Sequence, residues 1–213
     1  MVREAQVDRA TLVRGAAGAA ALSGLLNLLF FALHPRQGEP PPPGALGPSY
    51  AWLHLLGVLS LILGLFGLTA FYLVQHRRVG WLGLAGYLLA FIGSCGFIGF
   101  LWGDGLYSPV FERFSPALLD APALFFTGPL YIASAAAALA FILGYVSFGI
   151  ASYRAAVLPR DGIVAMTTGA VLVALPPPPL AGVPWALIVA GAAILAAGLG
   201  RIGFALWRAP LAD

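Results

Sequence analysis

The chain contains no lysine; all eleven basic residues are arginines. That absence excludes a retinal or pyridoxal Schiff base and any lysine nucleophile. There is one cysteine, Cys95, so an internal disulfide and a cysteine-based metal cluster are excluded as well. Lying inside an apolar run, Cys95 reads as a small buried core residue. Charge is the third scarcity. Charged residues make up 9% of the 213, against roughly 25% in soluble domains. The motifs of soluble enzymes are missing too: no GxxxxGK[ST], no HExxH, no GxSxG and no dinucleotide-binding GxGxxG in a strand–helix context. Nothing suggests nucleic-acid binding.

What the chain has instead is apolar length. Hydrophobic residues account for 61%, and they gather into six runs over about residues 15–33, 51–74, 79–101, 122–153, 162–179 and 183–207. A helix needs roughly 20 apolar residues to cross the hydrocarbon layer. Five runs meet that length. The fifth has about 14 apolar residues, reaching about 21 Å as helix, and the tetraproline 176–179 extends it. A re-entrant hairpin is the alternative for this segment. The expectation is an all-α integral membrane six-helix bundle forming a single transmembrane domain. The segment 102–121 is expected to be an outer loop, with a surface helix over Ser108 to Leu119.

Arginine placement orients the bundle. Arg3, Arg9, Arg14, Arg77, Arg78, Arg154, Arg160, Arg201 and Arg208 fall on one side; only Arg36 and Arg113 fall on the other. Positively charged loops mark the cytoplasmic face, so both N- and C-termini are expected to be cytoplasmic. The arginine-only usage with abundant Ala, Gly and Pro suits a GC-rich bacterial genome, and hence the inner membrane of a bacterium. The aromatics Tyr50, Trp52, Trp102, Tyr107 and Trp185 fall at the opposite, outer side, where headgroups favour them.

Lipid gives helices no hydrophobic reason to associate, so small residues must let backbones approach. Gly15, Ala19, Ser23 and Asn27 form such a stripe in the first run. Gly57, Ser60, Gly64 and Gly67 do so in the second, Gly83, Gly86, Ala90 and Gly93 in the third, and Ala192, Ala196 and Gly200 in the sixth. Extended outward, these faces bring His34, His54 and Asp104 together at the outer mouth, below Glu39, Glu112 and Asp120 in the loops. Two imidazoles and a carboxylate suit a divalent metal. They also suit a general base with its orienting partner. Haem held by two histidines, or a pigment whose magnesium takes one, is a further cofactor option. His76 belongs to the other face and cannot join. The simpler reading of the spacing is structural: His54 anchors near the headgroups and Asp104 begins a turn at Gly103 and Gly105.

No Asp or Glu falls within the six runs, which argues against ion-coupled transport. The function the sequence favours is a non-catalytic accessory subunit or a small-molecule- or lipid-binding module. Its polar pocket lies at the outer mouth, built from His34, His54 and Asp104 with Asn27 beneath and Trp102 and Tyr107 on the rim. Its partners are the lipid bilayer and a membrane-protein partner or second copies of the chain. The alternatives are an outer-leaflet enzyme using the same residues and an oligomeric passive channel. The two tetraprolines read as stiff loops.

Overall fold

In the computed structural model, residues 8–35, 46–115, 128–175 and 183–209 are described. The chain is all-helical, 91% helix with no strand among the described residues. The described residues form five helices: α1 (Arg9–Leu33), α2 (Pro48–Phe114), α3 (Gly128–Ala155), α4 (Arg160–Val173) and α5 (Trp185–Arg208). Four of them are long and apolar enough to cross a membrane; the 14-residue α4 is not. The tetraprolines, Glu39, Asp120 and residues 116–119 of the surface helix expected over Ser108 to Leu119 lie outside the described residues.

The count is five rather than six because the second and third apolar runs belong to one element, α2. At Gly80 its backbone leaves the helical region, with φ 58° and ψ −162°, a conformation that glycine alone adopts without strain. The chain doubles back there. Thr69 Oγ1 lies 3.1 Å from Tyr87 Oη, the Tyr72 and Tyr87 rings stack with centroids 4.7 Å apart, and His54 meets Asp104, all across Gly80. The arms 48–79 and 81–114 therefore form an antiparallel hairpin.

Local chemistry sets the ends. The Asp8 carboxylate accepts a 2.6 Å hydrogen bond from the Thr11 amide, satisfying one of the free N–H groups of the first turn of α1. Pro48 occupies the first turn of α2, where its missing N–H costs nothing. At the other end of α1, Pro35 disfavours helical geometry in the residue before it. His34 is extended accordingly, with ψ 135°.

The elements close into a ring in which α1 packs on α2 and α5, α2 on α3, α3 on α4, and α4 on α5. Small residues carry these contacts, as most of the stripe positions predict, although Gly200 of the sixth run's stripe meets nothing within 4 Å, and neighbours run antiparallel. Gly67 rests on Ala20 and Gly64 on Ser23 between α1 and α2. Gly86 and Gly93 lie on the backbone of Phe148 and Phe141 in α3. Gly169 and Gly198 do the same between α4 and α5. A methyl group at any of these would collide with a neighbouring chain. The interior is filled by Phe71, Phe148, Met166, Ile163 and Ile202 among others. Leu33, Phe66, Trp81, Ile92 and Ile132 point outward, each more than half exposed. Large apolar side chains on so much of the outside are what a lipid-facing surface requires.

Three expectations are corrected by the packing. Cys95 is exposed; its neighbour Ser94 takes the buried position and bonds back to the Ala90 carbonyl at 2.8 Å. In α1 the buried stripe is Ala17, Ala20, Ser23, Gly24 and Asn27, so Gly15 and Ala19 are off it. The loop expected over 102–121 is helical as far as Phe114. Asp104 therefore sits within a helix and does not begin a turn.

Candidate metal centre

The site is built by three chain segments at the end of the bundle opposite Arg9, Arg77 and Arg78. Pro35 ends α1 so that the His34 ring turns in over the first arm of α2. His54 lies two turns into that arm. Gly105 lets the second arm approach until its backbone abuts the His54 side chain, which sets Asp104 beside the imidazole. His34, His54 and Tyr50 are buried at 7%, 1% and 7% exposure; the Asp104 side chain keeps 18%.

Three ligand-type atoms, one from each of His34, His54 and Asp104, all lie within 4.8 Å of one another. His34 Nε2 is 3.4 Å from His54 Nε2, and His54 Nε2 is 3.1 Å from Asp104 Oδ2. The other nitrogen of each ring is committed. His34 Nδ1 lies 2.6 Å from the Pro35 carbonyl oxygen, and His54 Nδ1 lies 3.0 Å from that of Tyr50. A carbonyl only accepts, so each Nδ1 carries a proton and donates it. In the neutral rings both Nε2 atoms are then bare lone pairs, facing one another and a carboxylate oxygen. A proton on His54 Nε2 would serve one of these two contacts, not both. A single cation serves all three lone pairs.

The spacing suits that cation. Metal–nitrogen bonds of about 2.0–2.1 Å in a tetrahedron put neighbouring ligand atoms about 3.3 Å apart, close to two of the three separations, 3.4 and 3.1 Å; the third pair lies within 4.8 Å. The support around the ligands is of the kind metal sites need, with the distal ring nitrogen fixed and the carboxylate held. Tyr50 Oη donates to Asp104 Oδ2 at 2.8 Å, and Ser108 Oγ donates to Asp104 Oδ1 at 2.5 Å. The rings are walled in by Phe30, whose centroid is 5.0 Å from that of His34 and 5.5 Å from that of His54. Trp185 from α5 stands 5.8 Å from His34. Haem ligated by both histidines does not fit. The porphyrin would have to lie between the two Nε2 atoms, where Asp104 Oδ2 and the Tyr50 hydroxyl stand.

Of the residues singled out from sequence, His34, His54 and Asp104 are brought together. Trp102 and Tyr107 are 51% and 61% exposed on the outer surface of α2 and do not line the cluster. Asn27 is buried seven residues before His34, roughly 10 Å along the helix, beneath Phe30, and its Oδ1 has no partner among the described residues. Tyr50 and Trp185, expected among the headgroups, pack on the site. Tyr50 and Ser108 are the residues the sequence reading missed as site residues. Each lies four positions from a ligand, on the same helix face, and that spacing is the signal that would have found them.

Comparison of the chain with protein-family models, with curated proteins and with solved structures finds no match in any of the three.

Proposed function

We propose that the protein is a metal-binding membrane module that holds one divalent d-block cation, zinc or a close relative, at His34 Nε2, His54 Nε2 and Asp104. The observation that carries the reading is the paired commitment of both Nδ1 atoms to carbonyls, which leaves two lone pairs converging on a carboxylate. Two imidazoles and one carboxylate form a borderline donor set that suits zinc or ferrous iron better than calcium or magnesium. Three protein ligands leave a fourth position for water or a small molecule. The role is binding or delivery of the ion, with the fourth position available to a partner. Hydrolysis by an outer-leaflet enzyme is the alternative that same open position allows.

The proposed setting is six crossings, with the hairpin of α2 supplying two and α4 completing the fifth with the segment after it. Both termini face the cytoplasm and the metal site faces the outside, in the inner membrane of a bacterium. The positive-inside bias of nine arginines against two supports this, as does the antiparallel arrangement of neighbouring elements.

The test is a zinc titration of the detergent-purified chain against a competing chelator, with X-ray absorption at the metal edge. One equivalent should bind with two imidazoles and an oxygen in the first shell. His34→Ala, His54→Ala and Asp104→Asn should each weaken binding by more than about a hundredfold, beyond the usual effect of losing a supporting residue. Binding that is equal in all four proteins would sink the reading. Hydrolytic turnover lost in Asp104→Asn, at unchanged thermal stability, would move it to the enzyme.

A further inference from the structure

At the opposite end of the bundle, a cavity of about 630 Å³ opens to the surface between the start of α1, the turn at Gly80 and the connection from α3 to α4. Arg9, Arg77 and Arg78 line it together with His76, Gln75, Leu73, Val74 and Val157, and none of the described residues that line it is acidic. Three guanidiniums around one opening, uncompensated by the described residues that line it, suit an anion. Arginine is the side chain best shaped for phosphate oxygens.

Two further groups narrow the chemistry. His76 Nδ1 lies 2.7 Å from the Leu73 carbonyl, so it donates there and the neutral ring offers Nε2 as an acceptor. Gln75 is 2% exposed. Its Nε2 donates to Ser152 Oγ at 2.7 Å, while its Oε1 has no partner among the described residues. The cavity therefore offers strong cationic donors and, separately, acceptors that call for hydroxyl protons. The apolar wall of Leu73, Val74 and Val157 suits the first carbons of an acyl chain. Trp81, 85% exposed one residue past Gly80, suits the headgroup depth at which such a lipid sits.

We infer that this cavity binds an anionic phospholipid whose headgroup carries hydroxyls, of the phosphatidylglycerol type. The phosphodiester lies among Arg9, Arg77 and Arg78, and the glycerol hydroxyls donate to His76 and Gln75. The inference rests on the chain residing in a membrane but not on the metal site, which lies at the other end.

The test is native mass spectrometry of the full chain in detergent with dioleoyl phosphatidylglycerol, phosphatidylcholine or phosphatidic acid added. Phosphatidylglycerol should bind at least about tenfold more tightly than phosphatidylcholine, on the scale that two or three arginines supply at a membrane surface. Arg77→Gln/Arg78→Gln should abolish that preference, whereas Arg113→Gln, at the far end, should leave it intact. Gln75→Leu is the second variant. It should bring phosphatidylglycerol down to the affinity of phosphatidic acid, which lacks the headgroup hydroxyls, so the proposal stands or falls even where the double variant does not fold. Equal binding of the three lipids overturns it, as does a preference that survives in both variants. Displacement by glycerol phosphate at the lipid's own concentration overturns it too, because the occupant is then a soluble anion. Zinc binding is unaffected in every arm, so failure here is distinct from failure of the metal reading.

Discussion

The Nε2 atoms of His34 and His54 lie 3.4 Å apart, each on a ring whose other nitrogen is held by a backbone carbonyl. Neutral imidazoles in that arrangement present lone pair to lone pair, an arrangement that burial makes worse because no water screens it. The protein maintains it with Pro35, which ends α1, and with Gly105, which admits the second arm of α2. On the proposed reading, a site held open in this way by backbone would take a cation between the rings.

The hydroxyls around Asp104 give the first prediction. Tyr50 and Ser108 each donate to one carboxylate oxygen, fixing its direction without touching the ion. Tyr50→Phe and Ser108→Ala should each lower zinc affinity by about 10- to 100-fold, the usual consequence of losing a group that orients a ligand. Tyr107→Phe, on the exposed face, should leave affinity unchanged. Chelator competition on the three variants reads this directly. Equal affinity in Tyr50→Phe, Ser108→Ala and the parent would mean that Asp104 needs no positioning.

A pH dependence is expected at the other end. Arg201 Nε donates to Asp161 Oδ2 at 2.9 Å across α4 and α5, and this bond holds the Asp161 carboxyl below its ordinary value of 3.8. The folded value is the lower one. The pair therefore contributes its stability above the unfolded value and loses it as pH falls through the folded value. Both side chains are well exposed, so the effect is small and screened by salt. The melting temperature of the parent should exceed that of Asp161→Asn slightly at pH 7, the two should converge as pH falls through the folded value, and molar salt should narrow the gap at pH 7. A gap that persists undiminished in acid would assign the effect to packing.

Much of this was legible before the fold. The apolar runs and their small-residue faces follow from what lipid demands of helices, and the faces ending in Asn27–His34, His54–Gly57 and Gly93–Asp104 already converged at one mouth. Two things were not legible. The third apolar run stops where charge begins, at Asp104, yet the helix continues because tertiary contacts with His54 and Tyr50 satisfy that carboxylate. The positions of Tyr50 and Ser108 follow from this, since both fall outside the apolar runs, one just before the second and one past the third. Adjacent small residues pose the second difficulty. Ser94 and Cys95 differ by about 100° around the helix, and composition alone cannot say which of them turns inward. In α1 the same ambiguity shifted the first half of the stripe from Ala17 and Ala20 to Gly15 and Ala19.

Gly105 offers the sharpest test of how the site is assembled. A methyl group there would fall on Cβ and Cγ of His54, and His54 is buried to 1% exposure with no room to withdraw. Either the second arm of α2 moves away or the imidazole turns off its carbonyl. Both routes separate His54 Nε2 from Asp104 Oδ2. Gly105→Ala should therefore lower stability by about 1–3 kcal/mol, as overpacking of a filled interior does, and should weaken zinc binding as well. Gly99→Ala is the matched control, since a methyl group there meets nothing within 4 Å. It should leave both quantities near the parent's, or stabilise slightly through helix propensity. Thermal melts with and without zinc separate the outcomes. In the parent, zinc should raise the melting temperature by binding the folded state. In Gly105→Ala that increment should shrink along with the baseline. A lowered baseline with a full zinc increment would show that the close approach at Gly105 serves the hairpin alone, and that the three ligands find one another without it.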